Sequence, residues 1–374
     1  MTSFSTYDRE MMTRALKLAE KARFTVSPNP AVGCVISRDG VILGEGCTRP
    51  AGGNHAEVEA LVMAGDARNS HVYVTLEPCN HQGRTGPCTK ALIEAGVTRV
   101  VIACEDPNPV VSGIGVETLK DAGIEVDVGL FEDQARNINR GFIKRHEQGL
   151  PWILIKMAAS IDGRTAMASG QSQWVTTPAA RKDVQKLRAA SCAIVTGSGT
   201  QSMDDPSLTV RISESELGTT DPLRQPLRVV VDSQLRIQPS ARLLQQPGPV
   251  MIATIDGQSQ QRRANALVEA GAEIVFLPAV ADGVDLHALM EELSNRDCNQ
   301  VMVEAGASLA GSFIAEGLVD ELVCYWAPKL FGHQARPMFN LPISTIDAHL
   351  ALSVQDVRRI GEDIRMIFVP DKDY

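Results

Sequence analysis

The chain has 374 residues, of which 44% are hydrophobic and 22% charged, and its 36 Lys and Arg against 45 Asp and Glu give a formal net charge of −9. This length predicts two or three globular domains, and this composition excludes extended disorder, collagen-like repeats and coiled coil. The acidic balance and the 4% aromatic content argue against a general nucleic-acid binder. The acidic balance and the low aromatic content are compatible with a small phosphorylated ligand that a few local arginines hold.

The eight cysteines are dispersed along the chain, and no segment has the pattern of a signal peptide or a membrane span. Residues 1–24 alternate charged and apolar residues, and no apolar run approaches the roughly 18 residues that a span requires. We therefore expect a cytoplasmic protein with reduced thiols and no membrane partner. Closely grouped cysteines in such a protein are more often metal ligands or catalytic groups than disulfides.

Helix and strand patterns alternate from the start of the chain. They predict helices over 8–23, 56–65, 89–96, 116–123 and 131–148, and strands over 32–37, 41–44, 71–76, 100–104 and 125–128. Alternating βα units of this kind are typical of an α/β domain with a parallel or mixed sheet. The pattern ends in Gly149 and Pro151, so we place the first domain at 1–148 and a second at 151–374.

A second alternation follows this boundary. Strands are expected over 152–157, 192–196, 228–232, 250–254, 274–277, 300–304, 322–326 and 365–369, with helices over 178–190, 261–270 and 286–295. The second domain is therefore also predicted to be α/β. No internal repeat is present.

The first domain carries a candidate zinc site. His55 and Glu57 open a predicted helix, Cys79 ends a predicted strand, and Cys88 opens another predicted helix. Three such ligands leave a fourth position on zinc for a water molecule, which becomes a usable nucleophile, and Glu57 would move its proton. Since i and i+2 on a regular helix point in different directions, His55 can converge with Glu57 only at the very start of the helix. H-x-E followed by P-C is typical of zinc deaminases, but eight residues separate the cysteines here instead of two.

Three motifs of the first domain resemble one known family. They are EPCNHQGRTGPC at 77–88, SPNPAVG at 27–33 and EDPNP at 105–109. All three resemble the deaminase domain of the bifunctional riboflavin-biosynthesis deaminase–reductases. The resemblance implies a cytidine-deaminase-like α/β/α domain with its substrate site lined by Asn29, His81, Arg84, Asp106 and Asn108. Thr48 stands where the family usually has His, and Gly86 where it usually has Pro.

The second domain carries motifs in the order of the same family's reductase domain. They are WILIKMAASIDGRTA at 152–166, SQW at 172–174, GSGT at 197–200, DDPSLTVR at 204–211 and VEAGASLAGS at 303–312. Taken alone, the glycine turn at 304–312 favours tight helix–sheet packing over phosphate binding. Arg188 and Arg211, taken singly, are also more often surface charges than ligand contacts. The resemblance, which covers nearly the whole chain, implies a fold similar to dihydrofolate reductase.

The same resemblance implies the contacts of the second domain. NADPH is expected to contact Ala158, Trp174, Thr200, Asp204, Ser233, Gly306, Ala307, Ser308, Leu309, Ala310, Gly311 and Ser312. The ribose-phosphate substrate is expected to contact Ser172, Arg188, Leu208, Arg211 and Glu304, with Arg188 and Arg211 as a phosphate clamp. Lys156 and Glu304 are candidates for polarising or protonating the sugar during hydride delivery.

The resemblance implies a zinc-dependent hydrolytic deamination of 2,5-diamino-6-(5-phosphoribosylamino)pyrimidin-4-one, followed by NADPH-dependent reduction of the ribosyl group to give 5-amino-6-(5-phosphoribitylamino)uracil. It also implies a homo-oligomer, joined through the reductase domains. Two alternatives are a deaminase of nucleic acid or free nucleosides, and a second domain that binds NADPH or a partner without turnover. The acidic balance opposes the first, and the joint presence of Lys156, Arg188, Asp204, Arg211 and Glu304 opposes the second.

Overall fold

The computed structural model describes residues 4–80, 86–108, 112–255, 260–281 and 283–371, which form two compact units. One unit comprises Met1–Gly149 together with Ser213–Leu223, and the other comprises Leu150–Ile212 and Arg224–Tyr374. The short segment Ser213–Leu223 therefore belongs to the first unit although the chain on both sides of it belongs to the second. No helix within these ranges is long and apolar enough to cross a membrane.

The helices and strands are numbered in chain order. The helices are α1 (Thr6–Ala22), α2 (Ala56–Ala64), α3 (Cys88–Glu94), α4 (Ile114–Asp121), α5 (Glu132–Ile138), α6 (Arg140–Gln148), α7 (Pro178–Ala190), α8 (Ser198–Asp204), α9 (Glu214–Leu217), α10 (Gln261–Glu269), α11 (Leu286–Asn295) and α12 (Ala307–Ala315). The strands are β1 (Gly33–Arg38), β2 (Val41–Cys47), β3 (His71–Val74), β4 (Arg99–Ile102), β5 (Glu125–Val128), β6 (Trp152–Ser160), β7 (Arg164–Ala166), β8 (Ala193–Gly197), β9 (Leu227–Val231), β10 (Val250–Ile255), β11 (Glu273–Leu277), β12 (Ala279–Val280), β13 (Gly283–Val284), β14 (Gln300–Val303), β15 (Glu321–Ala327), β16 (Arg336–Pro337), β17 (Leu352–Ile360) and β18 (Asp363–Pro370).

The first unit is built on a mixed five-stranded sheet in the order β2-β1-β3-β4-β5. Strand β1 runs antiparallel to β2 and β3, whereas β3, β4 and β5 are parallel. The buried core contains residues from both faces of these strands, including Val35, Ile36 and Val101. The mixed sheet agrees with the prediction from the alternating pattern.

Glycines on β1 and β2 let two helices approach opposite faces of this sheet. A Cβ atom on Gly33 would collide with the backbone of Ala15 in α1, and one on Gly46 would collide with the backbone of Ala56 in α2. Because Gly46 pairs with Cys34, it shares a sheet face with Cys34 and not with the adjacent Gly33. The unit is therefore an α/β/α sandwich, as the family resemblance implies, and Gly46 fixes where α2 begins.

The single helix expected over 131–148 is wrong, because the segment forms two helices, α5 and α6. They are divided at Asn139, whose φ and ψ are −103° and 18°. The Asn139 side chain accepts a hydrogen bond from the Ala31 amide at 2.7 Å and donates one to the Ala31 carbonyl at 2.9 Å. This tertiary contact holds a backbone conformation that interrupts the helix, and its partner is more than 100 positions away in the sequence.

The second unit is built on a nine-stranded sheet in the order β11-β10-β9-β8-β14-β6-β15-β18-β17. The strands from β11 to β15 in this order are parallel, and β18 and β17 add an antiparallel hairpin at one edge. The carboxyl ends of the parallel strands lie at one edge of the sheet, where α/β proteins bind their ligands. Strand β17 was not expected from the sequence.

Candidate active sites

The first site begins at the amino terminus of α2. His55 is the residue immediately before the helix and has extended φ and ψ of −76° and 162°. Glu57 lies in the first helical turn and is 3% exposed. His55 therefore sits where helical geometry has not yet begun, which is the position that convergence with Glu57 requires.

The two cysteines are the other candidate ligands, and one of them opens α3. Cys88 is the first residue of α3, as expected, and the Thr89 amide donates a hydrogen bond to the Cys79 carbonyl at 3.2 Å. Cys79 does not end a strand, because β3 stops at Val74. The residues between Val74 and Cys79 form an irregular segment that carries the ligand beyond the sheet edge.

The three candidate ligand atoms are spaced as a tetrahedral metal requires. The Sγ atoms of Cys79 and Cys88 lie 3.5 and 3.3 Å from Nδ1 of His55, and all three atoms are within 4.8 Å of one another. Ligand atoms on tetrahedral zinc, with Zn–S near 2.3 Å and Zn–N near 2.0 Å, are separated by roughly 3.5 Å. The residues therefore fit a zinc ion by donor type, by number and by spacing. Hydrogen bonds from Cys88 and His55 also lower the pKa of the Cys79 thiol, which favours the thiolate form that binds metal.

Glu57 has the electrostatic environment of an acid–base residue. Burial and the negative charge of Cys79 raise the pKa of its carboxyl group to about 7, and its interactions with His55 and Cys88 offset part of that rise. A carboxyl group with a pKa near neutrality can both accept and donate a proton at physiological pH. Its contacts with His55 and Cys88 place it at the candidate metal site.

The predicted substrate contacts of the first unit are only partly described. His81 and Arg84 lie outside the described residues. The Asn29 amide donates to the Val26 carbonyl at 3.0 Å, and the Asn108 amide donates to Asp106 Oδ1 at 2.9 Å. Asp106 is 9% exposed and its own amide bonds to Glu77. The sequence singled out Glu77 only as part of a motif, and its carboxylate is the functional feature that the sequence reasoning missed.

Thr48 is a structural residue in this fold. Its side chain is buried, and its hydroxyl accepts a hydrogen bond from the Val32 amide at 3.1 Å. The Thr48 amide also donates to the Val32 carbonyl at 3.0 Å. These bonds join the end of β2 to the residue before β1, so the hydroxyl is already used by the protein backbone.

The second site lies at the carboxyl edge of the parallel strands of the second unit. Glu304 directly follows β14, and its amide donates to the Val195 carbonyl of β8 at 2.9 Å. Gly306 precedes α12, and its amide donates to Thr200 Oγ1 at 3.0 Å. Thr200 and the 306–312 segment, both predicted to contact NADPH, are therefore adjacent.

Glu304 is the centre of a cationic cluster. Arg188 Nε and Nη2 donate to its carboxylate at 3.0 and 2.9 Å, and Lys156 Nζ lies 3.5 Å from Oε1. Burial alone would raise the pKa of Glu304, but the charges of Arg188 and Lys156 outweigh it and lower that pKa to about 2. The carboxylate is therefore ionised throughout the physiological range.

The two arginines expected to clamp a phosphate have different environments. Arg188 is 7% exposed, and its remaining donor, Nη1, bonds to the Thr209 carbonyl at 3.0 Å. Arg211 is exposed, and within the described ranges its guanidinium makes no hydrogen bond or ion pair. Desolvation and the charge of Arg188 lower the pKa of Arg211, and the charge of Glu304 offsets part of that change.

Ser172 and Asp204 are also brought together, with Ser172 Oγ donating to Asp204 Oδ1 at 2.8 Å. Trp174 is 61% exposed, and the Arg181 guanidinium lies over its ring, 4.3 Å from the ring centroid. Leu208 is buried and has a positive φ of 50°. Ala158 lies on β6, and Ser233 follows β9 at the same edge of the sheet.

Comparisons with known proteins agree with this architecture. Residues 151–366 match the RibD C-terminal domain family, and residues 5–104 match the cytidine and deoxycytidylate deaminase zinc-binding region. The chain is 48% identical to riboflavin biosynthesis protein RibD of Escherichia coli over 96% of this chain and 98% of that protein. It is also 48% identical to RibD of Haemophilus influenzae, over 99% of both chains.

Two solved structures are similar over almost the whole chain. A structure of Acinetobacter baumannii RibD superposes with a TM-score of 0.89 at 42% identity, covering 98% of this chain and 99% of that chain. A Thermotoga maritima protein described as a diaminohydroxyphosphoribosylaminopyrimidine deaminase/5-amino-6-(5-phosphoribosylamino)uracil reductase superposes with a TM-score of 0.87 at 30% identity, over the same shares of the two chains. The expected fold class, a cytidine-deaminase-like domain followed by a reductase domain, is confirmed.

Proposed function

The chain belongs to the RibD family of bifunctional riboflavin biosynthesis enzymes, which use zinc for deamination and NADPH for reduction, and we propose how its own residues divide this work. Residues 1–148 hydrolyse 2,5-diamino-6-(5-phosphoribosylamino)pyrimidin-4-one to its uracil product and ammonia. Residues 151–374 reduce the ribosyl group of that product to a ribityl chain. The substrates follow from the activities named for the Thermotoga relative.

The observation that carries the deaminase assignment is the convergence of His55, Cys79 and Cys88 beside Glu57. When bound, zinc lowers the pKa of a water molecule so that it becomes a nucleophile at neutral pH. Glu57 takes the proton of the attacking water and gives it to the leaving amino group, for which a pKa near 7 is suited. Asn29, Asp106 and Asn108, with His81 and Arg84, hold the pyrimidine and its phosphoribosyl group.

The reductase assignment divides the roles of Lys156 and Glu304. Because its pKa is about 2, Glu304 is ionised at neutral pH and has no proton to give. Lys156 lies 3.5 Å from Oε1 of Glu304, and we assign to it the polarisation or protonation of the sugar. Glu304 orients Lys156, and Arg188 orients Glu304.

The cofactor and the sugar phosphate are expected to meet at the carboxyl edge of the second sheet. We assign the NADPH phosphate to the backbone amides at the start of α12 and to the Thr200 hydroxyl, which accepts the Gly306 amide. Arg211 is the free cation of the predicted clamp, and it would bind the substrate phosphate directly. Hydride transfer itself belongs to the cofactor, so the protein contributes chiefly position.

We further propose that the protein is a cytoplasmic homo-oligomer joined through its second unit. None of the eight cysteines is joined in a disulfide, as is usual in reducing compartments. Strand β17, nine residues long, pairs with β18 on one side and is the last strand of its sheet within the described ranges, and its Leu352, Val354 and Val357 are 38–56% exposed. An exposed apolar edge of this length is a ready surface for pairing with a second copy. Light scattering that gives the mass of one chain would contradict this proposal.

A paired assay tests the two activities. Zinc-replete protein is supplied with the diaminopyrimidine phosphate and NADPH, and ammonia release and NADPH oxidation are followed together. The proposal expects ammonia first and NADPH loss second. Ammonia without NADPH loss would remove the reductase assignment, and the absence of both would remove the substrate assignment. Ammonia release from cytidine or tRNA at a higher rate would favour a nucleoside or nucleic-acid deaminase instead.

A further inference from the structure

Glu77 lies two residues before the candidate metal ligand Cys79 and is 3% exposed. Its carboxylate accepts four backbone hydrogen bonds. Oε2 accepts from the amides of Asp106 and Gly113 at 3.2 and 3.0 Å, and Oε1 accepts from the amides of Gly115 and Val116 at 2.8 and 3.2 Å. Within the described ranges no cationic side chain pairs with it, so its partners are the backbone amides of Asp106, Gly113, Gly115 and Val116.

Asp106 follows β4, and the other three partners lie at the start of α4. The amides of Gly115 and Val116 belong to the first turn of α4, where no helical carbonyl is available to accept them. Glu77 therefore caps α4 from a distant part of the sequence. A Cβ atom on Gly115 would collide with the Pro78 carbonyl, so α4 lies directly against the residue that follows Glu77.

A second anchor lies on the other side of Cys79. Asn80 Nδ2 donates to Thr118 Oγ1 of α4 at 2.9 Å, and Thr89 Oγ1 of α3 donates to Asn80 Oδ1 at 2.6 Å. The Glu77 amide also donates to the Cys104 carbonyl at the end of β4, at 3.0 Å. Cys79 is thus flanked by two residues that are both bonded to α4.

Two predicted substrate contacts, Asp106 and Asn108, depend on this bonding to Glu77. Asp106 gives its amide to Glu77 and accepts the Asn108 amide on its own side chain at 2.9 Å. A shift of Glu77 would therefore move the Asp106 and Asn108 side chains relative to the metal ligands. When bound, zinc would hold Cys79 to His55 and Cys88, so we expect a change at Glu77 to act on Asp106 and on the start of α4.

We propose that Glu77 is a positioning residue that fixes Asp106 and the start of α4 against the chain next to Cys79, and so sets the position of Asp106 and Asn108 relative to the metal. The inference rests on the proposed deaminase function, because it treats Asp106 and Asn108 as substrate contacts. It assigns to Glu77 an effect on substrate binding and no role in the chemical step.

The test compares Glu77→Gln with the matched control Glu105→Gln in the zinc-loaded, full-length protein. Glu105 is exposed and lies in the same part of the chain. The Gln side chain places an amide donor against two of the four backbone amides, so two bonds are lost. We expect the KM for deamination to rise about 10-fold or more with kcat changed less than about threefold, while Glu105→Gln behaves as wild type.

Two further readouts do not depend on turnover. Hydrogen–deuterium exchange should become about 10-fold faster in peptides covering 106–116 and stay unchanged in α1. Zinc content and the ligand-field spectrum of the cobalt-substituted protein should match the wild type. If exchange in 106–116 does not change, or if Glu77→Gln loses its metal, the positioning role is wrong.

The proposed function and this inference fail in different ways. A wild-type protein that does not deaminate the diaminopyrimidine phosphate removes the function, whereas exchange and metal content still report on Glu77. Should Glu77→Gln exchange rapidly throughout the unit, Glu77→Asp provides the second variant, since it retains both oxygens but is one methylene shorter. Faster exchange confined to 106–116 in Glu77→Asp supports the proposal, and global exchange in this variant as well contradicts it.

Discussion

The carboxylate of Glu304 and the guanidinium of Arg188 form a two-point contact, with nitrogen–oxygen distances of 2.9 and 3.0 Å. The third donor of Arg188 is taken by a backbone carbonyl. The Arg188 guanidinium is therefore bonded to protein groups, and its contact with Glu304 holds that carboxylate in one orientation beside Lys156. Charge-assisted pairs of this geometry are strong and directional.

This contact predicts a pH-dependent contribution to stability. The pKa of Glu304 is about 2 in the folded protein against 4.5 for an unperturbed Glu, so the stabilisation is fully present above pH 4.5 and is lost as the pH falls toward 2. Glu304→Gln should lower the free energy of unfolding of the second unit by about 2–4 kcal/mol at pH 7, because two cations lose their partner. Urea unfolding measured from pH 7 to pH 3 should show the gap to the wild type narrowing with acidity. A gap that does not depend on pH would exclude the ion pair as its cause.

The two arginines of the predicted clamp should respond differently to substitution. Arg211→Ala removes an exposed cation without protein partners in the described ranges, so the KM for the ribosyl phosphate should rise about 10-fold or more while the thermal midpoint stays unchanged. Arg188→Ala should instead lower the thermal midpoint, because it leaves the buried Glu304 carboxylate with fewer partners. Steady-state NADPH oxidation and thermal unfolding of both variants separate these effects. Equal KM values for Arg211→Ala and wild type would contradict phosphate binding by Arg211.

Glu57→Gln should abolish deamination while leaving the rest of the protein intact. The amide cannot accept and release a proton, so ammonia release should fall by about 10²–10⁴-fold. Zinc content should be retained, because the three ligands are unchanged, and NADPH oxidation with the deaminated intermediate should match the wild type. Ammonia release at the wild-type rate in a zinc-containing Glu57→Gln protein would contradict the acid–base role.

Metal removal should separate the two activities. Dialysis against a chelator is expected to stop ammonia release and to spare NADPH oxidation with the deaminated intermediate, and added zinc should restore the first activity. Cys88→Ser, which replaces a buried thiol ligand, should have a low zinc content and should not recover on zinc addition. Metal analysis and the paired assay measure both effects. Full ammonia release by metal-free protein would contradict the zinc site.

Gly311 of α12 should not tolerate a side chain. Its Cβ would collide with the Asn340 carbonyl, so Gly311→Ala should destabilise the second unit by about 1–3 kcal/mol and raise the KM for NADPH by tilting α12. Gly199→Ala is the matched control, because a Cβ at that position in α8 meets no atom within 4 Å. Thermal unfolding of the two variants provides the comparison. Equal midpoints would mean that the contact between α12 and Asn340 relaxes at little cost.

Much of the fold could be predicted because its elements are locally encoded. The expected helix over 178–190 coincides with α7, which begins with Pro178 at its first position. The expected position of His55 before a helix was also correct, since H-x-E convergence permits few alternatives. Strand β17 was missed because its residues are mostly exposed and carry charges between apolar positions. Its pairing with β18 is tertiary information.

The chemistry of the sites was predictable by residue type, and their geometry was not. His55, Cys79 and Cys88 could be predicted as the ligand set because zinc prefers those donors. Nothing in the sequence indicated that Arg188 is occupied by Glu304 or that Glu77 bonds to four amides, since the partners are 116 and between 29 and 39 positions away. Such contacts depend on how strands are ordered in a sheet. A carboxylate directly before a Pro–Cys pair, shortly after a predicted strand, is the one local signal that could have drawn attention to Glu77.

The return of Ser213–Leu223 to the first unit has a consequence for gene architecture. A reading frame that stops at Gly149 encodes neither α9 nor Asp221, which lies 3.2 Å from Nη1 of Arg49, so Arg49 would keep only Glu59 as its acidic partner. Division of the gene at that codon therefore yields a deaminase unit that lacks one of its own segments, and a reductase chain that still carries that segment. A chain in which one unit contains a segment from the middle of the other cannot be divided at a single position without separating that segment from its unit.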